Sequence, residues 1–405
     1  MARRPRNPLF SRSLQRSLTR TFGAITRTLV RAGARAIRKP VTRRKPATPL
    51  KPASRPVSVA TAALRPGVVI GASGARRYQL YKPPGAKRGE RFPLMVMLHG
   101  CTQDARAFAA SSRMDSIAAR ERFMVLYPQQ DRMANAQGCW NWFDTRNGRA
   151  QRKADAIGAA ISQVCLTQPV DANRIAVAGF SAGAGMAALL ATRQPGRFKA
   201  VVMHSGIGPG VAHSPATALS AMRGRRVGAA LSPQPGEGPL PALLVIQGTA
   251  DPVVARSNGA SAAQHWAAHA SEQLDAGMGD KAGAVSGAKS GAGSIAKVAA
   301  KSSLKAKQPR TVQRGKRRSA TVTDFRVGGR GGARIVATLC EVNGLGHAWS
   351  GGAPGLPYSD PTGPDASRMV WAFAARQFAS ALTSRLHFGN VRCQIGGVNG
   401  YLDET

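Results

Sequence analysis

The chain has 405 residues, of which 43% are hydrophobic, and its formal net charge is +39 at pH 7. This length and apolar content suffice for one large domain or two ordinary ones, and they exclude a small scaffold that depends on disulfides or a metal. The five cysteines match no metal-site spacing, and their odd number excludes complete pairing within one chain. The sequence is compatible with one disulfide in an exported protein, but it does not specify which cysteines form it.

The positive charge is concentrated in two stretches. Residues 1–55 contain 16 Lys or Arg and no acid, and residues 278–320 contain 11 Lys or Arg against the single acid Asp280. Together they contribute +26 of the net +39, so the rest of the chain is no more basic than many soluble enzymes. We therefore expect no specific nucleic-acid partner. The alternative to an enzyme is a basic protein that binds nucleic acid or an anionic surface.

The N-terminal stretch has a helical pattern. Apolar residues recur at steps of three and four between Phe10 and Leu29, with arginines on the other faces. This pattern predicts a basic amphipathic helix within residues 1–38, which suits an anionic membrane or granule surface; a targeting segment or a helix docked on the protein is the alternative. The Pro-rich basic residues 39–67 are predicted to form a linker. Arginines interrupt every candidate for an ordinary secretory signal, and no apolar run is long enough to span a bilayer.

Short apolar runs alternate with Ala-rich stretches in the rest of the chain. Strands are predicted at 92–100, 122–129, 174–180, 198–206, 241–248 and 333–342, and helices at 103–120, 152–166 and 182–194. The alternation predicts an α/β fold, with a mostly parallel central sheet and helices on both faces, in a single domain over residues 68–390 with a tail at 391–405. Residues 275–320, rich in Gly, Ala, Ser and Lys, are predicted to be a mobile low-complexity basic insertion in that domain.

Ser181 lies in the Gly-x-Ser-x-Gly pentapeptide of "VAGFSAGAG". With 45 glycines in the chain such a match arises easily, and a plain tight turn is the alternative interpretation. Its position favours a nucleophile, because the pentapeptide follows a predicted strand and begins a predicted helix, as a nucleophile elbow requires. The flanking Gly179 and Gly183 avoid collisions with the strand and the helix.

A serine nucleophile needs a base and an orienting acid, which follow in the order Ser, Asp, His on this kind of sheet. Asp251 in "GTADPVV" comes just after a predicted strand, although an Asp-Pro turn is the plainer explanation of that residue alone. His347 in "NGLGHAWSGG" follows the next strand. His204 ends a strand but precedes the acid, so only His347 satisfies both position and order among the seven histidines.

Ester hydrolysis also needs N–H donors for the oxyanion. The residue after the nucleophile supplies one, which is Ala182, and the loop after an early strand supplies the second, which is Cys101 in "LHGCTQ". Only the backbone amide of Cys101 is implicated. This chemistry requires neither a metal nor a cofactor.

Five blocks in register carry a family resemblance. The stretches from "LHGCTQ" to "LYPQQ", then "GCWNWF", "VAGFSAGAGMAA", "GTADPVV" and "NGLGHAWSGG" resemble the poly(3-hydroxybutyrate) depolymerase family of esterases. The resemblance implies an α/β-hydrolase fold and a serine esterase for short hydroxyacid esters or polyesters. It carries over Ser181, Asp251 and His347 as the catalytic triad and Cys101 as an oxyanion donor.

The resemblance also implies that Trp140, Trp142 and Trp349 line the substrate cleft, with core packing as the alternative for these aromatics. Feruloyl and acetylxylan esterases resemble the same sheet and triad, so they remain the alternative substrate class. The resemblance favours export from the cell, whereas a cytoplasmic granule-bound protein fits the predicted N-terminal helix.

Overall fold

The computed structural model describes residues 64–72, 74–225, 238–283, 303–329 and 332–393. The predicted helix at 1–38, nearly all of the linker at 39–67 and the tail beyond residue 393 lie outside the described residues. Among the helices within these ranges, none is both long and apolar enough to cross a membrane.

Eleven strands of the described chain form one sheet. They are β1 (Arg65–Gly71), β2 (Gly74–Tyr81), β3 (Phe92–Leu98), β4 (Met124–Pro128), β5 (Val170–Phe180), β6 (Ala200–His204), β7 (Ala242–Gly248), β8 (Ser303–Ala306), β9 (Arg310–Val312), β10 (Ala320–Gly329) and β11 (Gly332–Val342). The order is β1-β2-β4-β3-β5-β6-β7-β11-β10-β8, and β9 also pairs with β10. The six central strands from β4 to β11 are mutually parallel, so their carboxyl ends meet at one edge.

Seven α-helices flank this sheet in the described chain. They are α1 (Ala105–Ser112), α2 (Met114–Glu121), α3 (Arg149–Thr167), α4 (Ala182–Arg193), α5 (Pro215–Met222), α6 (Ser257–Gly283) and α7 (Ala366–Cys393). Apolar residues of α3, α4 and α6 pack on one face of the sheet, and those of α1, α2 and α7 pack on the other. The predicted parallel sheet with helices on both faces is confirmed.

The central strands are apolar along their whole length because both faces are covered. In β3, Leu94 and Val96 pack against the α3 side, while Met95 and Met97 pack against the α7 side. All seven residues of this strand are buried. Strands with two covered faces therefore appear in the sequence as continuous apolar runs.

Two sequence predictions need correction. The single helix expected at 103–120 is two helices, because Arg113 adopts a left-handed conformation with φ 55° that ends α1. The mobile insertion predicted at 275–320 is wrong for three parts of the described chain, since α6 continues to Gly283 and residues 303–306 and 310–312 are strands. Both strands pair with β10, whose backbone donors and acceptors would otherwise form an open sheet edge.

Candidate functional site

Ser181 occupies a sharp turn between β5 and α4. Its backbone has φ 56° and ψ −120°, a conformation that non-glycine residues adopt only where the surroundings impose it. The turn brings α4 so close to β3 that a Cβ on Gly183 would lie 2.2 Å from the carbonyl oxygen of Leu98. The glycines of the pentapeptide are therefore sterically required, and the serine hydroxyl projects beyond the carboxyl end of the sheet.

Ser181, His347 and Asp251 form one hydrogen-bonded chain. His347 Nε2 lies 3.0 Å from Ser181 Oγ, and His347 Nδ1 lies 2.8 Å from Asp251 Oδ2. Asp251 follows β7 and His347 follows β11, and these strands are adjacent and parallel. Because a carboxylate accepts the proton on Nδ1, Nε2 is the nitrogen left to accept the serine proton.

The carboxyl group of Asp251 is held as an anion. Burial by itself would raise its pKa, but the charge and the hydrogen bond of His347, together with the backbone N–H groups of Val254 and Val253, outweigh burial and lower the pKa. The two amides donate to Oδ1 at 2.9 and 2.8 Å, which leaves Oδ2 for the imidazole. The carboxylate of Asp251 thus bonds the backbone of the Asp-Pro turn through one oxygen and His347 through the other.

The backbone N–H groups of Cys101 and Ala182 have no hydrogen-bond partner within the described residues. Both neighbours of Cys101 are engaged: the Gly100 N–H donates to Gln103 Oε1 at 3.0 Å, and the Thr102 N–H donates to the carbonyl of Gln137 at 2.7 Å. Buried or partly buried amides are rarely left unpaired. Two free donors beside Ser181 are therefore available to an oxygen atom of a bound molecule.

A disulfide joins Cys101 to Cys139. It ties the loop after β3 to the aromatic segment that contains Trp140 and Trp142. Cys165 and Cys340 are free thiols, and burial raises the pKa of Cys340 to about 12. The sequence left this pairing open, and the bond connects two parts of the site.

A cavity of about 670 Å³ opens in front of Ser181 and His347. Its apolar lining includes Trp140, Trp142, Phe143, Ile207, Met222 and Val253. Gly185 leaves room for Trp142, because a Cβ there would lie 2.9 Å from the indole ring. Trp140 and Trp142 both lie at the wall of this cavity.

Trp349 is not part of this cavity lining. It is 1% exposed, its ring packs edge-on against Phe108, and its indole N–H donates to Ser367 Oγ at 3.1 Å. The expectation that Trp349 lines the cleft is wrong, since the residue two positions after His347 turns into the core beneath the site. Core packing, the alternative considered for these aromatics, describes it correctly.

His204 is a residue of the site that sequence reasoning set aside. Its carbonyl accepts the N–H of Ser181 at 2.9 Å, and its ring Nε2 accepts the N–H of Ser350 at 3.1 Å. Burial lowers the pKa of His204 to about 3, so the ring is neutral. His204 links the turn at Ser181 to the loop of His347, and its position at the end of a central strand was the only signal in the sequence.

His99 has the corresponding place beside the Cys101 loop. Its Nε2 accepts the N–H of Gln130 at 3.1 Å, and its Nδ1 donates to the carbonyl of Gly100 at 2.8 Å. Burial lowers the pKa of His99 to about 4, even though the bond to Gly100 opposes this shift. In the described part of the chain no cluster of His, Cys, Asp or Glu has the composition of a metal site.

The strand order and the sharp turn at Ser181 define an α/β-hydrolase fold. The family model described as "Esterase PHB depolymerase" matches residues 76–286, which is just over half of the chain. The chain belongs to this family of esterases.

Individual relatives match shorter parts of the chain. Poly(3-hydroxyalkanoate) depolymerase C of Paucimonas lemoignei is 30% identical over 196 residues, which are 44% of this chain and 45% of that protein. Feruloyl esterase B of Neurospora crassa is 29% identical over 116 residues, 28% of this chain and 39% of the relative. The chain thus spans less than half the length of these two curated relatives. Among solved structures, acetyl xylan esterase from Aspergillus awamori aligns with a TM-score of 0.49 and 16% identity, covering 70% of this chain and 94% of that one.

Proposed function

We propose that this protein is a serine esterase that hydrolyses short hydroxyacid esters or polyesters through an acyl-enzyme on Ser181. The observation that carries the proposal is the position of His347, whose two ring nitrogens lie within hydrogen-bond distance of Ser181 and Asp251. Serine is a weak nucleophile unless a base accepts its proton as it attacks, and this geometry supplies that base.

In the acylation step, Ser181 Oγ attacks the ester carbonyl carbon and its proton passes to His347 Nε2. The anionic Asp251 stabilises the resulting imidazolium and keeps its orientation. The tetrahedral oxyanion accepts hydrogen bonds from the free amides of Cys101 and Ala182. When the intermediate collapses, the ester C–O bond breaks and the leaving alkoxide takes the proton from His347 Nε2.

Deacylation repeats these steps with water as the nucleophile. His347 accepts a proton from the water as it attacks the acyl carbon, and returns it to Ser181 Oγ when the acid leaves. In a 3-hydroxyacid polyester the leaving alcohol is the hydroxyl of the next unit, so one cycle shortens the chain at one ester bond.

The cavity is large enough to hold an acyl or alcohol group of several carbons. Its lining includes Trp142 and Phe143, which are in edge-to-face contact at 5.7 Å between ring centroids. Apolar walls of this kind bind aliphatic or aromatic esters through burial of surface. We include Trp140 and Trp142 in the proposed substrate site and exclude Trp349.

The experiment compares ester classes on purified protein. We expect release of 3-hydroxybutyrate from amorphous poly(3-hydroxybutyrate) and hydrolysis of p-nitrophenyl butyrate, both abolished in Ser181→Ala. Ser116→Ala, an exposed serine on α2, is the matched control and retains both activities. A phosphonate that labels Ser181→Ala as fast as the parent protein would contradict the assignment of the nucleophile.

A second substrate class is favoured by the relative named feruloyl esterase B. The same catalytic residues serve it, because only the acyl and alcohol groups differ. Methyl ferulate and acetylated xylan are assayed in parallel with the polyester. Faster turnover of these esters than of hydroxybutyrate oligomers would leave the proposed mechanism unchanged, but it would change the proposed substrate from a polyester to plant-wall esters.

A further inference from the structure

Two non-glycine residues with left-handed backbones face each other across the mouth of the site. Thr102 has φ 63° and Tyr358 has φ 55°. The hydroxyl oxygens of their side chains, Oγ1 and Oη, lie 2.7 Å apart. Positive φ is uncommon outside glycine, and for a β-branched residue such as threonine it is an outlier. Each conformation persists because something else holds it.

The direction of this hydrogen bond follows from the neighbouring one. Thr102 Oγ1 lies 2.6 Å from the carbonyl oxygen of Cys101, which can only accept. The single proton of the threonine hydroxyl is therefore donated to Cys101. Tyr358 must supply the proton between the two hydroxyl groups, so the chain of donors runs from Tyr358 through Thr102 to Cys101.

The Tyr358 end of this chain is anchored to the loop of His347. The Tyr358 carbonyl accepts the N–H of Trp349 at 2.8 Å, within a two-residue parallel ladder of β12 (Trp349–Ser350) and β13 (Ser359–Asp360). Ser359 Oγ donates to the carbonyl of Ala353 at 2.6 Å and closes the loop on itself. Tyr358 therefore belongs to the same rigid segment that carries the base.

The other end is the loop that presents the free Cys101 amide. One side of this loop is held by the disulfide to Cys139 and by the bond from the Thr102 N–H to Gln137. The loop also borders the cavity, whose lining includes Cys101 and Tyr358. The hydroxyl of Tyr358 provides the contact from another side chain to Thr102.

We propose that Tyr358 is a positioning residue for the oxyanion site: its hydroxyl holds Thr102 in the left-handed conformation and thereby aims the Cys101 N–H at the reacting carbonyl oxygen. This inference rests on the proposed function, since it takes the Cys101 amide as an oxyanion donor. It also joins the base and the oxyanion donor through one side chain, so that the two groups are set relative to each other. Preorganised donors act mainly in the transition state, where the negative charge develops.

Kinetics of Tyr358→Phe test the role, because this variant keeps the ring and removes only the hydroxyl. With p-nitrophenyl butyrate we expect kcat to fall about tenfold and KM to stay within about twofold. Thr102→Ala should lower kcat by a similar factor. The double variant should lower kcat by no more than the larger single effect, because both substitutions break the same series of hydrogen bonds. Losses that multiply, or a raised KM with unchanged kcat, would overturn the proposal.

Hydrogen exchange provides a readout that does not depend on turnover. In Tyr358→Phe we expect the amide of Thr102, which donates to the carbonyl of Gln137, to exchange at least about fivefold faster than in the parent. Tyr81→Phe, a buried tyrosine of β2 outside the cavity, is the matched control and should change neither readout. Unchanged exchange in Tyr358→Phe overturns the inference even if the parent shows no esterase activity, whereas retained activity in Ser181→Ala would contradict only the proposed function.

Discussion

A Cβ added to Gly179 would lie 2.1 Å from the carbonyl oxygen of Gly183. The end of β5 and the first turn of α4 are thus in backbone contact on either side of Ser181. No side chain fits between them without moving the helix, and the helix is itself packed between the sheet and α3.

We therefore expect Gly179→Ala to lower the free energy of unfolding by roughly 3 kcal/mol, as overpacking in a closed core does. Urea unfolding measures it. Gly196→Ala is the matched control, because a Cβ there meets nothing within 4 Å and its φ is not positive, and it should change stability by less than about 1 kcal/mol. Equal effects of the two variants would show that the contact is not rigid.

Replacing Asp251 tests its proposed role in orienting His347. We expect Asp251→Asn to lower kcat by about 10³-fold or more, because a neutral amide neither stabilises the imidazolium nor selects its tautomer. KM should change little. Asp155→Asn is the control, since that carboxylate pairs with Arg193 on the outside of α3 and α4. A kcat for Asp251→Asn close to that of the parent would assign the acid role elsewhere.

The disulfide should affect both stability and rate. The bond closes a loop with a sequence separation of 38 residues, for which chain entropy gives roughly 4 kcal/mol of stabilisation. Cys139→Ser should lower the free energy of unfolding by a large part of this amount. It should also lower kcat severalfold, because the loop that carries the Cys101 amide is then no longer held by the disulfide. Cys165→Ser, a free thiol on α3, is the control and should do neither. Thermal unfolding and p-nitrophenyl butyrate kinetics distinguish the two variants.

Stability should decline as the solution is acidified. In the unfolded chain an imidazole takes up its proton near pH 6.5, whereas in the fold burial lowers the pKa of His99 to about 4 and of His204 to about 3. Between these values the unfolded state binds more protons, so the free energy of unfolding falls as pH falls from about 6.5 to about 4.

Each histidine contributes a slope of about 1.4 kcal/mol per pH unit in that window. In His204→Asn the slope should be smaller by the contribution of one histidine, whatever the absolute stability of the variant. Urea unfolding at several pH values measures it. A slope identical to that of the parent would mean that His204 is already protonated in the folded protein.

The sequence predicted the convergence of Ser181, Asp251 and His347 because each follows a strand, and the carboxyl ends of parallel strands meet at one edge. It could not predict the place of Trp349, since the direction of a loop side chain depends on the tertiary fold around it. The same limit applies to His204, whose ring partner Ser350 is far along the chain.

Residues 303–320 show a second limit. Their composition is that of a solvated segment, yet Lys305 pairs with Arg326 and Arg310 with Val322 in the sheet. Arg310 also bonds to the buried Asp324 at 2.7 Å. These residues form strands because the unpaired backbone groups of β10 are available to them. Such pairing depends on the tertiary structure, so it cannot be predicted from local composition.

Asp251 and His347 are 96 positions apart in the chain, yet their side chains are in contact. Their separation is set by the parallel register of β7 and β11, in which Gly248 is paired with Val342. The length of the chain between α6 and β8 therefore does not enter the geometry of the pair, and a longer closed loop adds only a logarithmic entropy term. A reporter domain inserted between residues 283 and 303 would leave Asp251 and His347 at the same distance, which makes this position suitable for fusing a second domain to the protein.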